Sequence, residues 1–202
     1  TIGRLKPAFA GEAFRGEGRV LGGVHDSTAN FMRYVCAGLD RFTLVSTGTW
    51  SISFDPSTSV DVLDPARDTN TNTDVLGRNV CCSRFFGGKE FEAVSGGASA
   101  SAASLDCVAR VEGPQVSGEE EKASLAALYC AQMVSEQLDA IASQDDIIVD
   151  GPFSQNPVLL AVLAQLRPSQ KVKASALRDG TTAGAAALAM IDGGKLPAIG
   201  LK

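Results

Sequence analysis

A single histidine, His25, occurs in 202 residues, which leaves little room for a histidine-rich metal centre. The five cysteines (Cys36, Cys81, Cys82, Cys107 and Cys130) are odd in number, and none stands at metal-ligand spacing from another or from His25. They read as buried, reduced thiols of a cytoplasmic protein. No uninterrupted apolar run reaches the roughly 18 residues of a membrane helix. Clusters of Lys and Arg are absent too, and with a formal charge of -5 and a pI near 4.9 the chain has no attraction for nucleic acid or an anionic membrane. Neither G-x-x-x-x-G-K-[ST] nor a G-x-G-x-x-G in a βαβ unit is present, so a nucleotide would have to be held in another way. The N-terminus lacks the pattern of a signal peptide. It begins Thr-Ile-Gly without Met, as if cut from something longer.

What is there suits a folded α/β protein, since 45% hydrophobic and 20% charged residues can build a core that a disordered chain could not. Residues 1 to 22 read as connecting structure, with a short helix near Pro7 to Phe14 and a strand near Arg19 to Leu21. The apolar spacing of Ala29, Phe31, Met32, Val35 and Cys36 predicts a helix over Ser27 to Leu39, capped by Ser27 or Asp26. Phe42 to Ser46 and Trp50 to Phe54 form a hairpin around Gly48. The stretch "VDVLDPARDTNTNTDVLG" is polar and turn-rich, and "RNVCCSRFF" is a strand running into Gly87-Gly88, with a helix from about Lys89. Ser95 to Asp106 reads equally as a linker or as a short alanine-rich helix. Glu119 to Ser143 is the longest helix, with Leu125, Leu128, Met133, Val134, Leu138 and Ile141 on its core face. The last sixty residues alternate strand, helix, strand, helix, through "DIIVDG", "NPVLLAVLAQL", "KVKAS" and "DGTTAGAAALAMI", which implies parallel pairing.

Three glycine turns end strands: "STGTWS" (46 to 51), "RFFGGKEFE" (84 to 92) and "VDGPFSQN" (149 to 156). Two lead into helices, where unpaired N–H groups favour an anion. Gly48 lets backbone approach a phosphate while Thr49 offers a hydroxyl and an amide; an ordinary hairpin turn explains the same residues. Gly151 turns the chain sharply, and Asn156 can cap a helix or read a purine edge. His25 has the profile of a structural hydrogen-bonding residue. Asp26 can be a simple cap or a base that orients a substrate hydroxyl toward a phosphoryl group.

Taken in order, "GGVHDSTA", "STGTWS", "RFFGGKEFE", "VDGPFSQN" and "DGTTAGAAALA" resemble the FGGY carbohydrate kinases over nearly the whole chain, most of all the rhamnulose and fuculose kinase branch. The resemblance implies a ribonuclease H-like α/β fold of the actin and hexokinase type, a mixed sheet flanked by helices. It makes residues 1 to 36 the end of the N-terminal sugar-binding domain with its catalytic loop, and 37 to 202 the C-terminal nucleotide-binding domain, with the rest of the N-terminal domain expected as a missing partner. The implied activity is ATP-dependent phosphorylation of a ketose such as rhamnulose, fuculose, ribulose or xylulose, with ATP and Mg²⁺ as cofactors and the isolated fragment inactive. Asp26 would be the general base and His25 would steady its loop or touch the sugar. Gly48 and Thr49 would meet the phosphates, Gly87 and Gly88 would line the nucleoside pocket, and Gly151 and Asn156 would flank the adenosine. Gly184 would be a packing glycine of the last helix. Many members have a second glycine where this chain has Pro152, which removes an N–H donor and shifts the expected contact to Phe153 or Ser154. A homodimer is left open. The competing reading is a non-catalytic, actin-like nucleotide-binding module serving as a sensor or scaffold.

Overall fold

The computed structural model describes residues 13–15, 18–20, 23–109, 116–177, 179–191 and 195–201. In chain order these hold β1 (Ala13–Arg15), β2 (Gly18–Val20), α1 (Asp26–Cys36), β3 (Thr43–Thr47), β4 (Ser51–Asp55), β5 (Thr69–Thr73) and β6 (Asn79–Phe85). Then follow α2 (Gly87–Ser95), α3 (Ala102–Ala109), α4 (Glu119–Ala140), β7 (Ile147–Asp150), α5 (Pro157–Leu166), β8 (Val172–Ala174) and α6 (Gly180–Ala189). Strands β1 and β2 form their own antiparallel pair. Ala13 and Phe14, expected at the end of a helix, are therefore strand; residues 7–12 and Leu21 lie outside the described residues.

The other strands form one sheet in the order β5-β6-β4-β3-β7-β8. The hairpin is present, with Leu44 opposite Phe54 and Thr47 opposite Ser51. β7 runs parallel to β3, setting Ser46 beside Asp150, and β8 runs parallel to β7. The β7-α5-β8 unit is thus the parallel crossover that strand–helix alternation implies. β5 was not expected. Its TNTNT sequence looks like a loop because an edge strand needs no apolar face, yet alternating β-branched threonines suit a pleated edge.

Alternation along the strands splits the core into two faces. Val45, Ile147 and Val149 pack under α4 and α5 with Val134, Leu138, Leu159 and Leu163. Leu44, Phe54 and Ile148 face α1, where the Phe31 ring lies 5.5 Å from Phe42 and 5.6 Å from Phe54. Each such side chain withdrawn from water contributes about 1.5–3 kcal/mol. Outside α1 lies α6, and they approach so closely that a Cβ on Gly184 would fall on the Ala29 carbonyl oxygen.

The buried stripe of α4 differs from the expected one. Ala123, Ala127, Cys130, Ala131, Val134 and Leu138 face inward, while Leu125 is exposed. Small residues are needed there because α2, α3 and α5 all pack on this helix. The helix ends at Ala140, where Ala142 turns left-handed at φ +50°. Within Ser95 to Asp106, the structure decides for a helix beginning at Ala102, after a turn through Gly96 and Gly97.

Candidate active site

Strands β3, β6 and β7 point the same way, so the turns that leave them, at Gly48, Gly87-Gly88 and Gly151, gather at one end of the sheet. Open α/β sheets bind ligands outside the carboxyl ends of their strands. The start of α1 reaches the same end, because its first residues border the hollow that Ser46, Thr47, Gly48 and Thr49 also line.

Close backbone packing joins the turns. A Cβ on Gly88 would fall on the carbonyl oxygen of Gly48, and one on Gly151 would fall on that of Thr47. Gly151 also has φ +86°, which a side chain rarely tolerates. Thr47 Oγ1 donates to the Asp150 carbonyl at 2.6 Å and accepts from the Phe153 amide at 3.1 Å, locking the hairpin turn to the β7 turn.

Between these turns lies a cavity of about 410 Å³ lined by Gly48, Thr49, Gly88, Phe91, Phe153 and Asn156, with Lys89 at its wall. Its size suits a small organic ligand. Thr49, Gly48, Gly88 and Asn156 are therefore brought together as the sequence suggested. Gly87 and Gly151 are not among the lining residues: Gly87 is buried, where a Cβ would meet the Phe85 ring at 2.8 Å and Ser51 at 3.0 Å, and Gly151 shapes the turn from behind. Their neighbours Gly88, Pro152 and Phe153 form the wall instead, while Ser154 does not reach it. Asn156 caps α5, its Oδ1 accepting from the Leu159 amide at 3.0 Å, and lines the cavity as well. The Gly48 amide is engaged with the Trp50 carbonyl at 2.9 Å, so Thr49 is the turn residue left to meet a ligand. Ala98, Ser99 and Ala100 complete the wall. Only the positive-φ glycines Gly96 and Gly97 hint at this in the sequence, by returning the chain after α2.

Asp26 does not share that cavity. It lines a second hollow, of about 470 Å³, with His25, Trp50, Thr181 and the same Gly48 and Thr49. One hairpin turn thus separates the two hollows and borders both. The α1 cap is neither Ser27 nor Asp26 but His25, whose Nδ1 lies 2.8 Å from Ser27 Oγ and 2.7 Å from Asp26 Oδ1. Asp26 is the first helical residue, accepts from the Ser27 amide at 2.6 Å, and stays exposed. Trp50 packs on Phe86 with ring centroids 4.2 Å apart. Among the described residues, no group of three His, Cys, Asp or Glu could hold a metal.

Beneath the turns sits a buried polar network. Asp150 Oδ2 accepts from Arg33 Nη2 at 2.6 Å and Tyr34 Oη at 2.7 Å, while Oδ1 accepts from the Gly151 amide at 2.7 Å. Arg33 also bonds Ser175 at 3.0 Å. Burial, and then the Asp150 carboxylate, push the Tyr34 phenol well above its ordinary range. It stays neutral and acts as a donor.

Comparison with known proteins fits this geometry. The family model for the C-terminal domain of carbohydrate kinase FGGY matches residues 39–113 and 108–197. A carbohydrate kinase from Novosphingobium aromaticivorans is 28% identical, with a TM-score of 0.69 over 89% of this chain and 47% of its own. Xylulose kinase from Bifidobacterium adolescentis shares the fold at 15% identity and a TM-score of 0.56, over 86% of this chain and 41% of its own. So does the activator of the 2-hydroxyisocaproyl-CoA dehydratase from Clostridium difficile, solved with bound ADPNP, at 13% identity and a TM-score of 0.53, over 82% of this chain and 65% of its own. No curated protein matches the chain at a significant level. This chain spans less than half the length of either kinase. The mixed sheet is that of the sugar kinase and actin-like ATPase fold, and the chain belongs to the FGGY carbohydrate kinases, as their C-terminal domain.

Proposed function

We propose that the chain is the nucleotide-binding part of an ATP-dependent ketose kinase, with Asp26 as the base that deprotonates the acceptor hydroxyl. One observation carries the reading: the Gly48-Thr49 turn is the shared wall of a cavity suited to a nucleoside and a hollow bordered by Asp26. A phosphate chain crossing that turn would present its end to the carboxylate.

The cavity residues fit ATP by their chemistry. Phe91 and Phe153 offer apolar walls to a base, Thr49 a hydroxyl and an amide to a phosphate, and Lys89 a cation. ATP bound there would supply the transferable γ-phosphoryl group, with Mg²⁺ carried on its phosphates and neutralising their charge. The chain's own task is positioning. Thr49 would hold the phosphate end while Asp26 accepts the proton of the sugar hydroxyl as its oxygen attacks. His25, paired with both Asp26 and Ser27, would fix the carboxylate's direction. Trp50 and Thr181 border the place the acceptor would take.

Residues 1 to 36 would then bring the catalytic loop from the end of a sugar-binding half, and 37 to 202 the nucleotide half. The reduced cytoplasm suits this protein, since Cys36, Cys81, Cys82 and Cys130 are buried free thiols. No helix among the described residues is long and apolar enough to cross a membrane. By itself the chain is expected to bind nucleotide weakly and turn over no sugar, because a one-walled cleft does not exclude water.

In the intact kinase, Asp26→Asn should reduce sugar phosphorylation by roughly 10²–10⁴-fold while ATP binding persists. An active variant would remove Asp26 from the mechanism.

A further inference from the structure

We propose that Asp150 is a positioning residue that sets the separation between the base and the phosphate turn. This rests on the kinase reading above and adds a residue that touches neither hollow, since Asp150 lines neither of them.

Three parts of the site meet at this one side chain and its peptide. Its carbonyl oxygen accepts from Thr47, the residue before Gly48. Carboxylate Oδ1 accepts from the amide of Gly151, which shapes the cavity wall. Oδ2 accepts from Arg33 and Tyr34, both on α1, the helix that Asp26 begins. From Asp26 to Arg33 is seven residues, two helical turns or about 10.5 Å. A rigid helix transmits any rotation or slide at Arg33 directly to its first residue.

Most other contacts of α1 are poor at preventing such motion. Phe31, Met32 and Cys36 are apolar contacts, and Ala29 meets Gly184 of α6 across small surfaces. Hydrophobic burial is non-directional. Asn30 Nδ2 makes one bond, to Ser46 Oγ at 3.1 Å, and Asn30 Oδ1 has no partner. The Asp150 contacts are directional, charge-assisted and at least nine-tenths buried on both sides. Room for adjustment is also small: a Cβ on Gly180, at the start of α6, would stand 2.9 Å from Asp150 Oδ2. A buried ion pair contributes little net stability but can fix one arrangement among several, and here the arrangement is the register of α1 against the glycine turns.

The test uses the intact kinase and compares Asp150→Asn, Tyr34→Phe and Asp26→Asn, assayed well below their melting transitions. Sugar phosphorylation gives kcat, and calorimetric titration with ATP gives its affinity. Asparagine keeps an acceptor for Gly151 but turns an amide toward Arg33 and Tyr34. Because a misplacement of about 1 Å can cost about a hundredfold, kcat should fall about a hundredfold in Asp150→Asn and about tenfold in Tyr34→Phe, with ATP affinity changed less than about threefold. A purely structural role would lower the melting temperature and leave kcat of the folded protein alone, and that result overturns the inference. If Asp150→Asn does not fold, Tyr34→Phe decides by the same split. Should Asp26→Asn remain active, Asp26 is not the base and this inference falls with that assignment; an inactive Asp26→Asn beside a fully active Tyr34→Phe removes the positioning role alone.

Discussion

Asp55 closes β4 and Asp150 closes β7, at opposite ends of β3, and both are withdrawn from solvent, 0% and 1% exposed. Asp55 is satisfied by neutral donors. It takes the Ser57 amide at 2.8 Å, Ser57 Oγ at 2.7 Å, the Thr58 amide at 3.1 Å and Thr43 Oγ1 at 3.1 Å. All but Thr43 belong to the loop it anchors. Asp150 instead binds a cation and a phenol from a helix more than a hundred positions earlier in the chain. The Asp55 end is thus pinned by local turns, whereas the Asp150 end joins distant segments around two hollows. Burial alone does not distinguish a structural carboxylate from one that organises a site; the origin of its donors does.

The first way to break this comparison is at the open end. Asp26→Asn there carries the largest expected effect, the loss of phosphorylation by two to four orders of magnitude given above, read by coupled ADP release. Next is Gly88→Ala, whose methyl group must push the Gly48 carbonyl aside. It should cost about 1–3 kcal/mol and weaken nucleotide binding together with it, measured by thermal unfolding and by ATP titration.

At the closed end, Asp55→Asn should cost about 1–3 kcal/mol through mismatched buried donors yet leave kcat unchanged, which sets it against Asp150→Asn. An equal loss of kcat in both variants would erase the distinction. The smallest effect concerns thiols at the two ends. Cys130 lies under Gly87, and burial, then Glu90, push it up to about 12. Cys81, beside Asp55, is also raised, by burial and then by that carboxylate. A raised pKa keeps both in the unreactive thiol form at pH 8. Peptide mapping after iodoacetamide treatment of the folded chain should therefore find both unmodified, and labelling of either would mean that its end opens.

The architecture was legible wherever apolar periodicity coincided with turn residues. Gly48 between two β-rich runs marked the hairpin, and "DIIVDG" before an apolar helix marked the parallel unit. Polar Thr69–Thr73 escaped because an edge strand need not alternate apolar residues. On α4, leucine was favoured by residue type, but the helix is packed on several sides and needs alanine and cysteine inward, leaving Leu125 outside. Of the residues lining the two hollows, Asp26, Thr49, Gly88 and Asn156 each sit on a short motif that singles them out in the sequence. What remained hidden was long-range. That Ala98–Ala100 would close the cavity and that Asp150 would reach Arg33 depend on segments meeting only in the folded chain, whereas the His25 cap is local and was missed because Ser and Asp are the commoner capping residues.

The most direct test of the central claim is a crystal structure of this chain with a non-hydrolysable ATP analogue. The nucleoside should lie between Phe91, Phe153 and Asn156, with its phosphates crossing Gly48-Thr49 so that the terminal one faces Asp26. Phosphates directed away from Asp26, or an analogue bound elsewhere on the sheet, would contradict the account.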